Sequence, residues 1–388
     1  MPLMPSRFQG RTGRHKRVNT VIAANPTRLP VSVLTGFLGS GKTTLLSHIV
    51  RHPGMANTAV IINEFGEIGL DHLLVEKSSE NTVLLNSGCL CCTVRGDLID
   101  TLRDLFLKRV RGLVPEFDRV VIETTGLADP APVLHTLMND PLIAARFRLD
   151  GVISTVDAVN GADQLSRHDE SVKQAAVADR IVLTKTDIAS DEAVGDLESR
   201  LRALNPAAPI LRAVQGQIDP AGLFDAGLYN PTTKSPDVER WLKAEAYEGT
   251  GHDHGHDHHG HGHDHGHDHG HHHHGHDRNR HDDHITAFCM TIDEPLVWDA
   301  FATWIETLIT LRGPDLLRIK GILNVRESDA PVVVHGVQHV FHPPVRLEAW
   351  PSDDHRSRIV FITRDVSRET IEAMYEAYRE AAAAGDTI

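Results

Sequence analysis

Cysteine is scarce in this sequence, with only four among 388 residues. Three of them, Cys89, Cys91 and Cys92, lie together in the segment GCLCCTV, and Cys289 is the fourth. Neighbouring cysteines cannot join distant parts of a fold, so this usage excludes a disulfide-stabilised scaffold. The surroundings are expected to be reducing. Metal binding, redox chemistry and coincidence are the explanations left for the three thiols.

Long apolar runs and a basic excess are missing as well. No stretch of about twenty apolar residues is present, so we expect no membrane span. Asp and Glu total 53 against 39 Lys and Arg, and the net charge of −14 argues against nucleic acid as the main partner. Residues 1–28 are basic but have no apolar signal core, which predicts a disordered arm and a cytoplasmic protein.

Short apolar runs alternate with helical periodicity from Leu29 to about Phe224. The runs are PVSVLTG, TAVIIN, TVLLN, DRVVIET, LDGVIST, DRIVLT and APILRA. They are rich in Val and Ile, as buried parallel strands are, and amphipathic segments such as DLIDTLRDLFLKRV lie between them. This alternation predicts an α/β fold with a doubly wound, mostly parallel sheet over residues 29–225.

A histidine-rich stretch then interrupts the pattern. Between His252 and His284 lie 17 of the 27 histidines, interleaved with Gly and Asp, a composition that cannot bury a core. We interpret residues 226–284 as a linker that contains this flexible segment. Residues 285–388 have a β-α-β-β-β-α pattern, which predicts a small α+β domain.

The segment GFLGSGKT, residues 36–43, matches the phosphate-loop motif between an apolar strand and a helix. Its glycines allow backbone N–H groups to surround phosphate oxygens, and the helix N-terminus adds partial positive charge. Lys42 is expected to reach the β- and γ-phosphates, and the Thr43 hydroxyl to complete a Mg²⁺ site. Gly36, Gly39, Ser40, Gly41 and Thr44 complete the predicted phosphate contacts.

Two further segments follow strands where GTPases carry functional residues. TKTD, residues 184–187, stands where GTPases place Asn-Lys-x-Asp, whose Asp accepts two N–H bonds from guanine. ETTG, residues 123–126, would supply an acidic residue to the Mg²⁺ shell and a glycine that senses the γ-phosphate. The alternatives are that TKTD only caps the next helix and that Thr124 and Thr125 form a helix N-cap.

The ordered set GFLGSGKTTLL, NEFGEIGLD, SGCLCCTV, ETTGLADP and TKTD resembles the CobW-like P-loop GTPases, relatives of the urease and hydrogenase nickel-insertion proteins. The resemblance extends to a histidine-rich segment and a small C-terminal domain. It implies GTP hydrolysis linked to handling of zinc, cobalt or another transition metal. The residues it implies for the nucleotide are Gly39, Gly41, Lys42, Thr43 and Asp187, to which the motifs add Glu123, Gly126, Thr184 and Lys185. The residues it implies for the transition metal are Cys89, Cys91, Cys92 and, as a further ligand, Glu64.

Three thiolates suit Zn²⁺, Co²⁺ or Cu⁺ and leave a fourth position for Glu64, water or a partner's ligand. An incomplete site suits metal transfer, whereas a structural zinc turn would find its fourth ligand elsewhere in the domain. The histidines are expected to collect several metal ions weakly, unless the linker is indifferent to metal.

The sequence as a whole predicts a GTP-driven metallochaperone with GTP and Mg²⁺ as cofactors, most simply with zinc as cargo. GTP would order residues 63–71, and hydrolysis would release them and loosen the metal. Its expected partner is a client metalloprotein, with a homodimer as an open alternative. Cobalt delivery for cobalamin synthesis and a cytosolic metal buffer or sensor gated by GTP are the rival hypotheses.

Overall fold

The computed structural model describes residues 28–62, 83–86, 94–224 and 284–385. Side chains are described in these ranges except at residues 83–86, 94–95 and 384–385. The N-terminal arm and the histidine-rich stretch up to residue 283 lie outside the described residues, so the domain limits 1–28, 29–225, 226–284 and 285–388 stay predictions. Among the described helices, none has the length and apolar composition needed to cross a bilayer.

The first half of the described chain forms a seven-stranded, entirely parallel sheet. The strands are β1 (Leu29–Gly36), β2 (Thr58–Ile62), β3 (Val83–Asn86), β4 (Arg119–Glu123), β5 (Phe147–Asp157), β6 (Arg180–Thr184) and β7 (Ile210–Ala213). Their order is β3-β2-β4-β1-β5-β6-β7. Each of the seven apolar runs therefore forms a strand, as predicted.

Helices cover both faces of this sheet. They are α1 (Lys42–Ile49), α2 (Val94–Val110), α3 (Ala131–Asn139), α4 (Pro141–Ala144), α5 (Gly161–Arg167), α6 (Asp169–Ala176) and α7 (Asp191–Leu204). Successive strand residues point to opposite faces. Val33 accordingly packs with Leu98 of α2 and Leu134 of α3, whereas Leu34 packs with Leu45 of α1. The doubly wound arrangement is confirmed.

The C-terminal part of the chain forms a second, antiparallel sheet. Its strands are β8 (Ile285–Ile292), β9 (Leu316–Leu323), β10 (Val332–Val337), β11 (Val340–Phe341), β12 (Val345–Arg346) and β13 (Ser357–Arg364), and its helices are α8 (Trp298–Arg312) and α9 (Arg368–Gly385). The order is β11-β10-β9-β13-β8, with β12 paired to β10. The predicted element order is confirmed, with β11 and β12 as additions that are too short to produce a periodic pattern.

The two sheets share a buried boundary. One face of the C-terminal sheet packs under α8 and α9 through residues such as Phe288 and Trp304. The opposite face, including Cys289 and Leu317, joins the same apolar cluster as Leu134 of the first domain. A single continuous core across the boundary means that the two domains do not move independently without exposing apolar surface.

A buried ion-pair group crosses this boundary. Asp179, whose side chain is 1% exposed and which directly precedes β6, contacts Arg318 Nη2 at 2.7 Å and also Lys320 Nζ. Burial by itself would raise the pKa of Asp179, but the charges of Arg318 and Lys320 outweigh this effect and hold it below its usual range. Burial also lowers the pKa of Lys320 to about 8.

The stability of the folded chain should fall as the pH drops below neutrality, and His342 is one cause. Burial lowers the pKa of His342 to about 4 from its ordinary value of 6.5. The unfolded chain therefore takes up a proton at this position between pH 6.5 and 4 while the folded chain does not, so the free energy of unfolding decreases over that window. His335, whose pKa burial also lowers, acts in the same direction.

The His342→Asn variant separates this contribution from those of other groups. Between pH 7 and pH 5, the loss of stability in the variant should be smaller than in the wild type by about 2 kcal/mol. Urea unfolding of both proteins at the two pH values measures the difference. Equal losses would mean that His342 titrates in the folded state as it does in water.

Candidate nucleotide site

Residues 36–43 connect β1 to α1 in a tight loop that requires glycine. Gly36, Gly39 and Gly41 have φ values of 140°, 70° and 90°, which favour glycine. A Cβ at Gly36 would lie 2.3 Å from Thr155 Oγ1, whereas a Cβ at Gly39 would meet no atom within 4 Å. The loop is thus packed closely against β5 on one side and open at Gly39 on the other.

Lys42 places its charge within the curve of this loop. Its Nζ donates to the carbonyl oxygens of Gly36 and Phe37 at 3.0 and 3.2 Å, and the residue is 8% exposed. Ser40 Oγ lies 2.7 Å from Thr155 Oγ1, which fixes the loop to the end of β5. Thr44 is exposed in the first turn of α1. A preorganised ammonium in a glycine loop is the arrangement that binds phosphate.

Thr43 and Glu123 are brought together from positions 80 residues apart. Thr43 Oγ1 donates to Glu123 Oε1 at 3.1 Å, and Glu123 is buried as the last residue of β4. A hydroxyl and a carboxylate side by side are the oxygen donors that Mg²⁺ prefers. The structure therefore brings the two predicted magnesium ligands into contact.

The alternative role for Thr124 and Thr125, a helix N-cap, does not hold. Thr124 Oγ1 donates to Thr35 Oγ1 at 2.9 Å, which ties β4 to β1. At the start of α3 it is Asp129 Oδ1 that accepts from the backbone N–H of Ala131, at 2.9 Å.

Gly126 lies directly against the phosphate loop. A Cβ at this position would be 2.6 Å from Leu38 Cδ2 and 2.8 Å from the Leu38 backbone nitrogen. Gln174 of α6 donates to the carbonyl oxygens of Gly126 and Ala128 at 3.2 and 3.0 Å. The segment that follows Glu123 is thus held between the phosphate loop and α6.

Thr184, which replaces the Asn of the usual GTPase motif, ties the TKTD segment to the phosphate loop. Its Oγ1 donates to the carbonyl oxygen of Ser40 at 2.7 Å. Asp187 is exposed in the turn that follows β6. The helix-capping alternative does not hold, because Ser190 Oγ caps α7 by accepting from the backbone N–H of Ala193 at 3.2 Å.

Sequence reasoning missed Asp157, which holds the lysine of the TKTD segment. Lys185 has a φ of 58°, and its Nζ contacts Asp157 Oδ2 at 2.7 Å. Burial raises the pKa of Asp157, but hydrogen bonds from Lys185, Asn160 and Val159 outweigh burial and lower it. Asp157 is the last residue of β5, so the rule that parallel strands present functional residues at their carboxyl ends could have identified it.

Gly216 is a second missed position. It has a φ of 79°, and a Cβ there would lie 2.6 Å from the Thr44 carbonyl oxygen. The turn after β7 therefore packs on the start of α1. The short segment AVQG carries little information by itself, so only the fold locates it beside the phosphate loop.

The four predicted ligands of the transition metal, Glu64, Cys89, Cys91 and Cys92, lie outside the described residues. Within the described ranges, no group of three or more His, Cys, Asp or Glu residues could hold a metal ion. Cys289 is buried in β8, and burial raises the pKa of its thiol to about 11, which makes it a poor ligand.

Comparison with known proteins identifies the family. The CobW/HypB/UreG nucleotide-binding domain matches residues 30–212, and the cobalamin synthesis protein cobW C-terminal domain matches residues 285–379. Zinc chaperone YjiA of Escherichia coli K12 is 31% identical over 356 residues, which are 91% of this chain and 99% of that protein. The chain belongs to the CobW/HypB/UreG family. The family predicted from the ordered motifs is confirmed.

A second relative and a solved structure of YjiA support the same conclusion for this CobW/HypB/UreG-family chain. Zinc-regulated GTPase metalloprotein activator 1 of Saccharomyces cerevisiae is 27% identical over 379 residues, 89% of this chain and 82% of that protein. The crystal structure of Zn(II)-bound YjiA GTPase from E. coli has a TM-score of 0.64 at 28% identity and covers 90% of this chain and 99% of that one. The predicted two-domain fold class is therefore confirmed, and the roles of individual site residues stay predictions.

Proposed function

We propose that this CobW/HypB/UreG-family protein is a GTP-hydrolysing metallochaperone that carries zinc to a client metalloprotein. The alignment of three strand ends carries the proposal. Ile62 of β2 is in register with both Glu123 of β4 and Asn86 of β3. The stretches that contain Glu64 and the three thiols therefore begin at the same sheet edge as the Thr43–Glu123 contact, which supports communication between nucleotide and metal.

The nucleotide half of the proposal assigns each residue a task. Lys42 and the N–H groups of the glycine loop neutralise the β- and γ-phosphates, and Gly126 approaches the γ-phosphate from the segment after β4. Asp187 accepts two N–H bonds from guanine, a pair that adenine does not offer. Thr184 and the Asp157–Lys185 contact keep that carboxylate in place relative to the phosphate loop.

The residues fit a magnesium ion. Thr43 Oγ1 and the Glu123 carboxylate lie 3.1 Å apart and would hold Mg²⁺ together with phosphate oxygens. When bound, Mg²⁺ supplies charge neutralisation between the β- and γ-phosphates. The motifs GFLGSGKT, ETTG and TKTD contain no arginine for the reacting phosphate, so we expect slow turnover.

The metal half of the proposal rests on Cys89, Cys91, Cys92 and Glu64. Zinc is favoured as cargo because three thiolates suit it and because the relatives include a zinc chaperone and a Zn(II)-bound GTPase. GTP would order residues 63–71 and complete a tight site, and hydrolysis would loosen it. The histidine-rich stretch would collect ions for that site. The hypothesis also includes a client metalloprotein as partner, a cytoplasmic location and assembly as a homodimer.

Zinc affinity should depend on the nucleotide if this proposal is correct. With a non-hydrolysable GTP analogue, zinc should bind about 5- to 150-fold more tightly than with GDP, a coupling of about 1–3 kcal/mol. Zinc must then raise the preference of the protein for the analogue over GDP by the same factor. Chelator competition with the analogue, with GDP and without nucleotide measures the first effect, and nucleotide titration with and without zinc measures the second.

The same experiment separates the rival hypotheses. Zinc affinity that is independent of nucleotide would leave the thiols as a static structural site and contradict the chaperone mechanism. If the affinity for Co²⁺ depended on nucleotide more strongly than the affinity for Zn²⁺, cobalt delivery would be favoured. Coupling without any transfer to client proteins on hydrolysis would favour a metal buffer or sensor.

A further inference from the structure

A hairpin of the C-terminal domain contacts the first domain close to residues 126–129, the segment that follows β4. Gln338 and His339 form the turn between β10 and β11. Gln338 Nε2 donates to Asp129 Oδ2 at 3.1 Å, and the preceding carbonyl oxygen of Val337 lies 3.0 Å from His135 Nε2. Asp129 stands only three residues after Gly126, so the contact falls on the segment that packs against the phosphate loop.

Asp129 joins three elements at this point. Its Oδ1 accepts from the backbone N–H of Ala131 at the start of α3, and its Oδ2 accepts from Lys173 Nζ of α6 and from Gln338, both at 3.1 Å. The Asp129 and Lys173 side chains are 29% and 25% exposed, so water screens these contacts only in part. The carboxylate therefore sets the spacing between α3, α6 and the C-terminal hairpin.

The position of Gly126 depends on the same group of contacts. Residues 126–129 are held at one end by Gln174, which bonds the carbonyl oxygens of Gly126 and Ala128, and at the other end by Asp129. The Gly126 backbone lies close against the phosphate loop, because a Cβ built there would be 2.8 Å from Leu38 backbone atoms. Residues 126–129 therefore connect the contacts of Asp129 to the phosphate loop through a short segment.

Gln338 has a backbone conformation that residues other than glycine seldom adopt. Its φ is 52°, and its backbone N–H donates to the Leu316 carbonyl oxygen at 2.7 Å. The two-residue hairpin turn accounts for this value, since turns of that length require a positive φ at a central residue. The turn fixes where the Gln338 side chain leaves the backbone, and its Nε2 reaches Asp129 Oδ2.

We propose that Gln338 of the C-terminal domain is a positioning residue for GTP hydrolysis, acting through Asp129 on residues 126–129 and hence on Gly126. The inference rests on the proposed function, since it takes Gly126 as the residue that meets the γ-phosphate. It means that the C-terminal domain takes part in hydrolysis from across the domain boundary, and that nucleotide-driven movement of residues 126–129 reaches the C-terminal sheet through the same contact.

The Gln338→Ala variant tests the proposal in the full-length protein. Loss of one hydrogen bond to the carboxylate should lower kcat about 3- to 10-fold, with KM for GTP and affinity for GDP within about twofold of wild type. Gln338→Glu, which sets a second carboxylate against Asp129, should lower kcat further. Phosphate release under saturating GTP measures kcat, and melting temperatures confirm that each variant is folded.

A double-mutant cycle distinguishes action through Asp129 from general stability. Asp129→Ala removes the carboxylate that Gln338 contacts, so kcat should fall. If Gln338 acts through Asp129, adding Gln338→Ala to that variant should lower kcat no further. Arg364→Ala is the matched control, because it removes a different contact across the boundary, to Asp169 Oδ2 at 3.0 Å, and should leave kcat unchanged.

Three results would overturn the proposal: a wild-type kcat in Gln338→Ala, an equal loss of kcat in Arg364→Ala, or a further loss of kcat when Gln338→Ala is added to Asp129→Ala. Each of these leaves the proposed function intact as long as the wild type hydrolyses GTP and its zinc affinity depends on nucleotide. Absence of GTP hydrolysis in the wild type would instead contradict the proposed function itself.

Discussion

Replacing Lys42 with alanine is expected to reduce GTP hydrolysis by at least about 100-fold, the usual cost of removing one preorganised group from a developing charge. The Nζ of Lys42 lies within the glycine loop, bonded to the carbonyl oxygens of Gly36 and Phe37, where phosphate oxygens would otherwise meet only backbone N–H groups. Alanine removes the cation and leaves the strand–loop–helix geometry in place. Phosphate release at saturating GTP, with ATP measured in parallel, gives the rates.

Lys108→Ala provides the matched control for this variant. Lys108 is an exposed residue of α2 that pairs with Asp104 in the preceding turn, at 2.7 Å, and exposed pairs contribute little to stability. Its removal should leave hydrolysis unchanged. Normal turnover in Lys42→Ala would show that residues 36–43 do not bind the reacting phosphates, and equal turnover of ATP and GTP in the wild type would refute the guanine assignment to Asp187.

Replacing Cys89, Cys91 and Cys92 together with serine is expected to weaken the tightest zinc site by at least about 100-fold, with GTP binding preserved. Serine has nearly the volume of cysteine, but its hydroxyl does not ionise near neutral pH and binds zinc poorly. The remaining affinity would come from the histidine-rich stretch and should no longer depend on nucleotide. Chelator competition with the GTP analogue and with GDP measures both changes.

Cys289→Ser is the matched control for the thiols. Cys289 is buried in β8, where burial raises its pKa to about 11, so its replacement should leave zinc affinity unchanged. Unaltered tight binding in the triple variant would place the zinc site elsewhere in the chain. A triple variant that also loses GTP binding would show that the thiols stabilise the nucleotide domain and do not form a transferable metal site.

Local patterns predicted the parts of the fold that depend on local chemistry. The seven Val- and Ile-rich runs are strands because a parallel strand buried on both faces needs a continuous apolar run. Leu98, Leu102 and Leu105 form the buried stripe of α2 because they recur at the spacing that places residues on one face of a helix. Strands β11 and β12 were not predicted, because a strand of two residues is too short to show the alternation of apolar and polar residues.

Within the candidate site, motifs also predicted some contacts and not others. Thr43 and Glu123 were assigned from motifs, and their hydrogen bond at 3.1 Å agrees with that assignment. The Asp157–Lys185 contact and the approach of Gly216 to Thr44 each join a residue of a motif to a residue that no motif contains. Such contacts arise only when the carboxyl ends of β1, β5, β6 and β7 meet at one edge of the sheet.

By itself, the sequence determined the family, the parallel sheet, the phosphate loop and the candidate thiol ligands, because each depends on residue types at fixed short spacing. Only the tertiary structure decided how the two domains meet. The Asp179–Arg318 pair and the Gln338–Asp129 contact join residues 139 and 209 positions apart, in each case across the domain boundary. Periodicity and motifs depend only on residues that lie close together along the chain. The placement of one folded surface on another depends on shape, burial and charge, which exist only once both domains have folded.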